Sequence, residues 1–199
     1  FMTPGVIILT AIFTSIFGGV NTLWDRRYGF MNKALTSPIS RSAIALGKMS
    51  AISLISALQA SLIIGIALAI GVNFPNPVMI IPIMGIVILF SLGFSGISVM
   101  VAATAKSQET FWGVINFLGM PLFMISPALF PLELLPDWLA IIAKLNPVTY
   151  TILLVREMMT GVSEGGIPIL LSLVVLFAFV IVMAGIASYV FTREVNRPF

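Results

Sequence analysis

The chain has 199 residues, of which 59% are hydrophobic and only 9% charged, with ten Lys and Arg against seven Asp and Glu. A mean hydropathy of +1.15 leaves more apolar surface than one core of this length can enclose, so much of it must face lipid. The lack of cysteine and histidine excludes disulfides, thiolate nucleophiles, iron–sulfur clusters and the common zinc sites, and the basic residues sit in the breaks between apolar runs, which is membrane topology rather than nucleic-acid affinity.

A bilayer core of about 30 Å takes roughly 20 mostly apolar residues per spanning helix. Five stretches meet that length: about 4–23, 49–72, 78–103, 111–130 and 167–191. None has a charge at its centre, and Gly, Ala and Ser are scattered through all of them, as close helix packing in lipid requires. The ten-residue alternating segments of a transmembrane β-barrel are absent. The expected fold is therefore an all-α polytopic membrane domain occupying the whole of 1–199.

The first span ends at Trp24, beside Asp25-Arg26-Arg27. The loop that follows, to Lys48, is the most basic in the chain. On a helix, Tyr28, Phe30, Met31, Ala34 and Leu35 share an apolar arc, with Arg26, Asn32, Lys33 and Thr36 opposite, although Arg27 intrudes on the apolar side. Asp25 is placed as an N-cap, and Ser37-Pro38 stops the helix because a residue before proline leaves α geometry. The expectation is a short interfacial helix over about 25–37. Gly47-Lys48 resembles the end of a phosphate-binding loop, but Met49 follows where Ser or Thr is needed and Ser42 stands where the leading glycine belongs.

The loop after the second span, around 73–77, is uncharged. Lys106 follows the third span, and Arg193 and Arg197 end the chain. Basic residues thus collect on one side, which the positive-inside rule makes cytoplasmic. On that assignment Phe1 starts outside the cell, and with five spans the expectation is a missing upstream helix, the alternative being a five-helix protein with an exposed N-terminus. Within the spans, Thr14, Ser15, Asn21, Asn116 and Ser126 are the candidates for lining a translocation path, each with an alternative role in helix–helix hydrogen bonding.

Residues 121–160 are broken by Pro121, Pro127, Pro131 and Pro136. A brief amphipathic helix is expected over 137–145, with Trp138 as an interfacial anchor, and Asn146-Pro147 starts a second short helix carrying Tyr150, Arg156 and Glu157. A region this apolar and this broken, about 131–158, is expected to re-enter the outer leaflet, where irregular backbone must be covered by protein or line a cavity. Its residues Pro131, Pro136, Asn146, Pro147, Tyr150, Arg156 and Glu157 are candidates for an outer gate, the alternative for Arg156 and Glu157 being a headgroup-level cap of the bundle.

The series MTPG at 2–5, DRRYGFMNKALTSPISR at 25–41, GK at 47–48, SQETFWGVINFLGMPLFMISPALFPLELLP at 107–136 and LNPVTYTILLVRE at 145–157 resembles the permease subunit of ABC-2 type exporters, of the daunorubicin-resistance and nodulation type. The resemblance implies six transmembrane helices, a dimer of permeases, and export of a hydrophobic drug, lipid or glycan-linked molecule. It also implies that ATP and Mg are bound on a separate ATP-binding subunit, with no cofactor on this chain. It places the contact with that ATPase at about 25–41, through Asp25, Arg26, Arg27, Tyr28, Gly29, Lys33, Ser37, Pro38 and Arg41. The competing readings are a non-transporting membrane scaffold and a passive channel or secondary carrier. The lack of any Asp, Glu or Lys at a helix centre weighs against a proton-coupled carrier.

Overall fold

A computed structural model describes residues 2–29, 36, 38–72, 76–161 and 166–194, which form seven α-helices and two short 3₁₀ turns. The long helices are α1 (Met2–Arg27), α2 (Arg41–Ala69), α3 (Ile80–Thr104, led in by a 3₁₀ turn at Pro77–Met79) and α7 (Ile169–Glu194). Each is long and apolar enough to cross a membrane. Between α3 and α7 lie α4 (Gln108–Met124), a 3₁₀ turn at Leu132–Leu134, α5 (Asp137–Leu145) and α6 (Pro147–Thr160). No strand occurs among the described residues. This is the all-helical polytopic architecture expected, and its physical reason is that only a helix satisfies its own backbone in lipid.

The core holds large apolar side chains such as Ile7, Phe90, Phe94 and Ile152, and large apolar side chains also cover the outside of the bundle. Along α2 the side chains of Ser53, Ser56, Ala57 and Ala60 are buried, while Leu54, Leu58, Leu62 and Ile66 point outward. Small residues let the backbones approach, and the large aliphatics are left to meet lipid tails. Two of the buried hydroxyls find acceptors one turn back, Ser53 on the Met49 carbonyl at 2.8 Å and Ser15 on the Ala11 carbonyl at 2.8 Å.

Helix α3 is the hub, touching α1, α2, α4, α6 and α7. Its run of Ser91, Gly93, Ser95, Gly96 and Ser98 is wholly buried. At Gly19 of α1 a Cβ would lie 2.6 Å from the Ser98 Cβ and 2.9 Å from the Phe111 ring, so α1, α3 and α4 meet there with no room for a side chain.

Three boundaries differ from the sequence reading. Helix α1 runs on through Asp25, Arg26 and Arg27, so Asp25 lies in the last turns of α1 and is not the N-cap of a new helix. The Tyr28 amide still donates to the Trp24 carbonyl at 2.9 Å, and the chain leaves the helix only at Gly29, whose φ of 77° suits glycine. Helix α2 starts at Arg41, capped by the Ser40 hydroxyl, rather than at Met49. Helix α4 starts at Gln108, capped by Ser107, and stops at Met124 instead of continuing to 130. At 17 residues it is about 25 Å long, short of a bilayer core. Pro121 within it and Pro127 after Ser126 account for the early stop.

Candidate functional site

The basic end of the bundle is tied together by side chains from three helices. Asp25 of α1 forms an ion pair with Lys48 of α2. Arg26 donates to the Ala102 carbonyl at 2.9 Å and to that of Ala103, covering the last turn of α3. Those carbonyls have no partner within their own helix, and a cation is the favoured group at a helix C-terminus. Glu194, at the end of α7, adds an opposing charge to Arg26. Asp25 and Arg26 are thus engaged within the fold. Arg27 is exposed and lines a recess with Lys106, Ser107 and Gln108 at the start of α4. Tyr28 is 72% exposed and Pro38 is also exposed, whereas Arg41 opens α2 half-buried. Lys33 and Ser37, like most of the expected 25–37 helix, lie outside the described residues.

The opposite end is built around a sharp corner. Helices α5 and α6 meet at 87° with Asn146 between them. The Asn146 side chain accepts from the Val148 amide at 3.0 Å, capping α6, and its amide nitrogen donates to the Leu122 carbonyl of α4. Pro147 follows at the first helical position, where a missing N–H costs nothing. Tyr150 donates to the Lys144 carbonyl at 2.6 Å, holding the end of α5 against α6. Pro131 and Pro136 precede the 3₁₀ turn and α5. Helix α5 exposes Trp138 and Ile141, while α6 enters the bundle and packs on α1, α3 and α7.

Arg156 sits at the heart of that insertion. It is 1% exposed and donates to the Pro127 carbonyl at 2.7 Å. Its neighbour Glu157 is half-buried and ends α6 through its carbonyl, which accepts from the Gly161 amide at 2.8 Å. Gly161 has a φ of 72°, the left-handed cap that terminates many helices.

The five path candidates do not converge. Thr14 and Asn21 line a groove between α1 and α2 of about 580 Å³. Asn116 borders a narrow crevice between α1 and α4, and its amide donates to the Trp112 carbonyl at 2.9 Å. Ser15 is fully buried on the far side of α1, and Ser126 bonds the Phe123 carbonyl beneath the turn after α4. The groove contains a polar residue that the sequence reading passed over. Gln59, midway along α2, pairs with the Thr14 hydroxyl. A search for charged groups at helix centres misses it, although a lone carboxamide inside an apolar run is itself a signal.

Residues 1–160 match the family model for the ABC-2 type transporter. The chain belongs to the ABC-2 type transporter family. Its similarity to individual members is consistent with this. It is 33% identical over 153 residues to the transport permease ycf38 of Cyanophora paradoxa, covering 76% of this chain and 53% of the relative. To Nodulation protein J of Sinorhizobium fredii it is 22% identical over 181 residues, or 89% of this chain and 68% of the relative. To the daunorubicin resistance ABC transporter permease protein DrrB1 of Streptomyces coeruleorubidus it is 23% identical, over 82% of this chain and 58% of the relative. The chain spans about half the length of the ycf38 proteins it matches. Family membership and the apolar helices together make this a multi-pass membrane protein.

Proposed function

We propose that this chain is the transmembrane part of an ATP-driven exporter that moves a hydrophobic drug, lipid or glycan-linked molecule out of the cytoplasm. ATP and Mg would be bound on a partner ATPase, and a second permease copy would complete the path. The membrane would be a prokaryotic cytoplasmic membrane, with the basic end inward. The observation that carries this reading is the family match over residues 1–160. Its supporting geometry is that exposed Arg27 and Tyr28 close α1 while exposed Pro38 and half-buried Arg41 lead into α2, at the two ends of the connection between these helices. A partner pressing on that connection would act on both helices at once. Because Asp25 and Arg26 lock the ends of α1, α2 and α3 together, the push would be transmitted as a tilt of the helix group rather than absorbed locally.

The test is co-purification with the candidate ATPase, followed by ATP hydrolysis in lipid vesicles. Stimulation by the permease that is lost on replacing Arg27, Lys33 and Arg41 by Glu supports the coupling assignment. Equal hydrolysis with and without the permease would sink it and favour a scaffold.

A further inference from the structure

The groove between α1 and α2 has a composition that selects a ligand. Thr10, Thr14 and Asn21 follow one another along one side of α1, with Phe13 and Phe17 supplying flat apolar wall beside them. Gln59 and Lys48 face them from α2. Two cross-links set the register of the seam. Thr14 meets Gln59, and eleven residues on in α1 and eleven back in the antiparallel α2, about 16 Å away, Asp25 meets Lys48. The groove between these points opens to the flank of the bundle, since Phe17 is 57% and Ile55 50% exposed.

Its hydrogen-bonding capacity is not used up internally. The Asn21 carboxamide, exposed in an otherwise apolar surface, makes no hydrogen bond among the described residues. The Gln59 carboxamide offers two N–H donors and an acceptor oxygen, more than one threonine hydroxyl can match. Its charge, by contrast, is spent: Lys48 is paired with Asp25. A ligand entering from lipid would therefore find donors and acceptors but no unpaired charge, and a charged headgroup would lose hydration there without compensation. The volume lies within the range of small-molecule sites.

We infer that the α1–α2 groove binds an uncharged lipophile with hydroxyl or carbonyl groups along one edge, taken up sideways from the bilayer. That this ligand is the cargo rests on the permease reading; that the groove binds it does not.

The test uses the full-length protein in phosphatidylcholine nanodiscs, photolabelled with a diazirine-bearing monoacylglycerol and, separately, with the lysophosphatidic acid of the same chain. The expected result is labelling of the peptides around residues 10–22 and 51–59 by the monoacylglycerol, with roughly tenfold or more weaker labelling by the anionic lipid. Gln59→Leu and Asn21→Leu should each lower the labelling severalfold. Ala51→Phe, which fills the groove from an exposed position, should abolish it, with size-exclusion profiles confirming that each variant is folded. Labelling elsewhere only, labelling indifferent to Ala51→Phe, or equal labelling by the anionic lipid would each overturn the proposal. ATPase stimulation is read separately: its absence with groove labelling intact rejects the transport role and leaves the binding site standing.

Discussion

The Asp25 carboxylate on α1 and the Lys48 ammonium on α2 face each other across the seam between the two helices, with Lys48 the more enclosed at 22% exposure against 40% for Asp25. That asymmetry decides what mutation should do. Deleting Asp25 strands a mostly buried cation, whereas deleting Lys48 leaves a carboxylate that can reach water. Asp25→Ala should lower the melting temperature in detergent more than Lys48→Met does. A double-mutant cycle should return a coupling of about 0.5–1 kcal/mol, because both groups keep some solvent screening. A cycle energy of zero would mean the pair does not hold the seam.

Gly5 of the MTPG segment tests the packing at the other end. A Cβ there would stand 2.8 Å from the Ala128 carbonyl oxygen, so even alanine must push backbone aside. Gly5→Ala should destabilise by about 1–3 kcal/mol, the usual range for overpacking. Gly113→Ala in α4 is the control, since nothing lies within 4 Å of its added Cβ. It should be neutral or stabilising by up to about 1 kcal/mol, from helix propensity. Thermal melting of the two variants side by side makes the comparison.

These glycines also show how far the sequence could be read. Apolar run length found the four long helices and the proline pattern found α5 and α6, because both signals are local. Gly5 and Gly113 look alike in sequence; only the fold tells a glycine pressed on Ala128 from one facing open space. Lys48 is legible as a charge and so falls in the loop before the second span, yet the helix already begins at Arg41 and holds Lys48 within it, paired with Asp25 from another element. Gln59 is visible as a lone carboxamide, but its pairing with Thr14, 45 residues away, is not. In each case the deciding interaction is long-range.

Asn146 performs two tasks with one side chain, and two substitutions separate them. Asn146→Asp keeps an oxygen for the Val148 amide but brings a carboxylate against the Leu122 carbonyl, where the amide nitrogen had donated. Asn146→Ala loses both contacts, at about 1 kcal/mol for the cap alone. If the link to α4 holds the corner, Asp should be nearly as destabilising as Ala. If the cap dominates, Asp should be close to wild type. Melting curves of the two variants decide.

The sequence makes Arg156 a candidate for an outer gate, and its burial gives it a structural role that has to be separated from gating. Arg156→Ala removes the donor to the Pro127 carbonyl and empties a fully enclosed site. A loss of about 2–4 kcal/mol is expected. Arg156→Lys keeps the charge but not the planar fork, and should lie between. A gate residue would instead change transport while leaving ATPase association and melting unchanged. Equal loss of all three identifies Arg156 as the anchor of α6.

Arg26 and Arg27 are adjacent in sequence and opposite in consequence. Arg26 covers the final carbonyls of α3, so Arg26→Ala should cost about 1–3 kcal/mol wherever the protein is studied, with or without a partner. Arg27 is exposed beside Lys106, and its removal should change stability by no more than about 0.5 kcal/mol. The coupling proposal adds a second axis: Arg27→Ala, but not a distant surface change such as Lys144→Ala, should reduce the permease-dependent part of ATP hydrolysis. Measuring melting and hydrolysis for all three variants places each residue on both axes. Loss of hydrolysis in Arg27→Ala at wild-type stability would locate the partner's contact at this corner of α1. Unchanged hydrolysis would move that contact away from Arg27 and leave the basic end of α1 with a purely structural role.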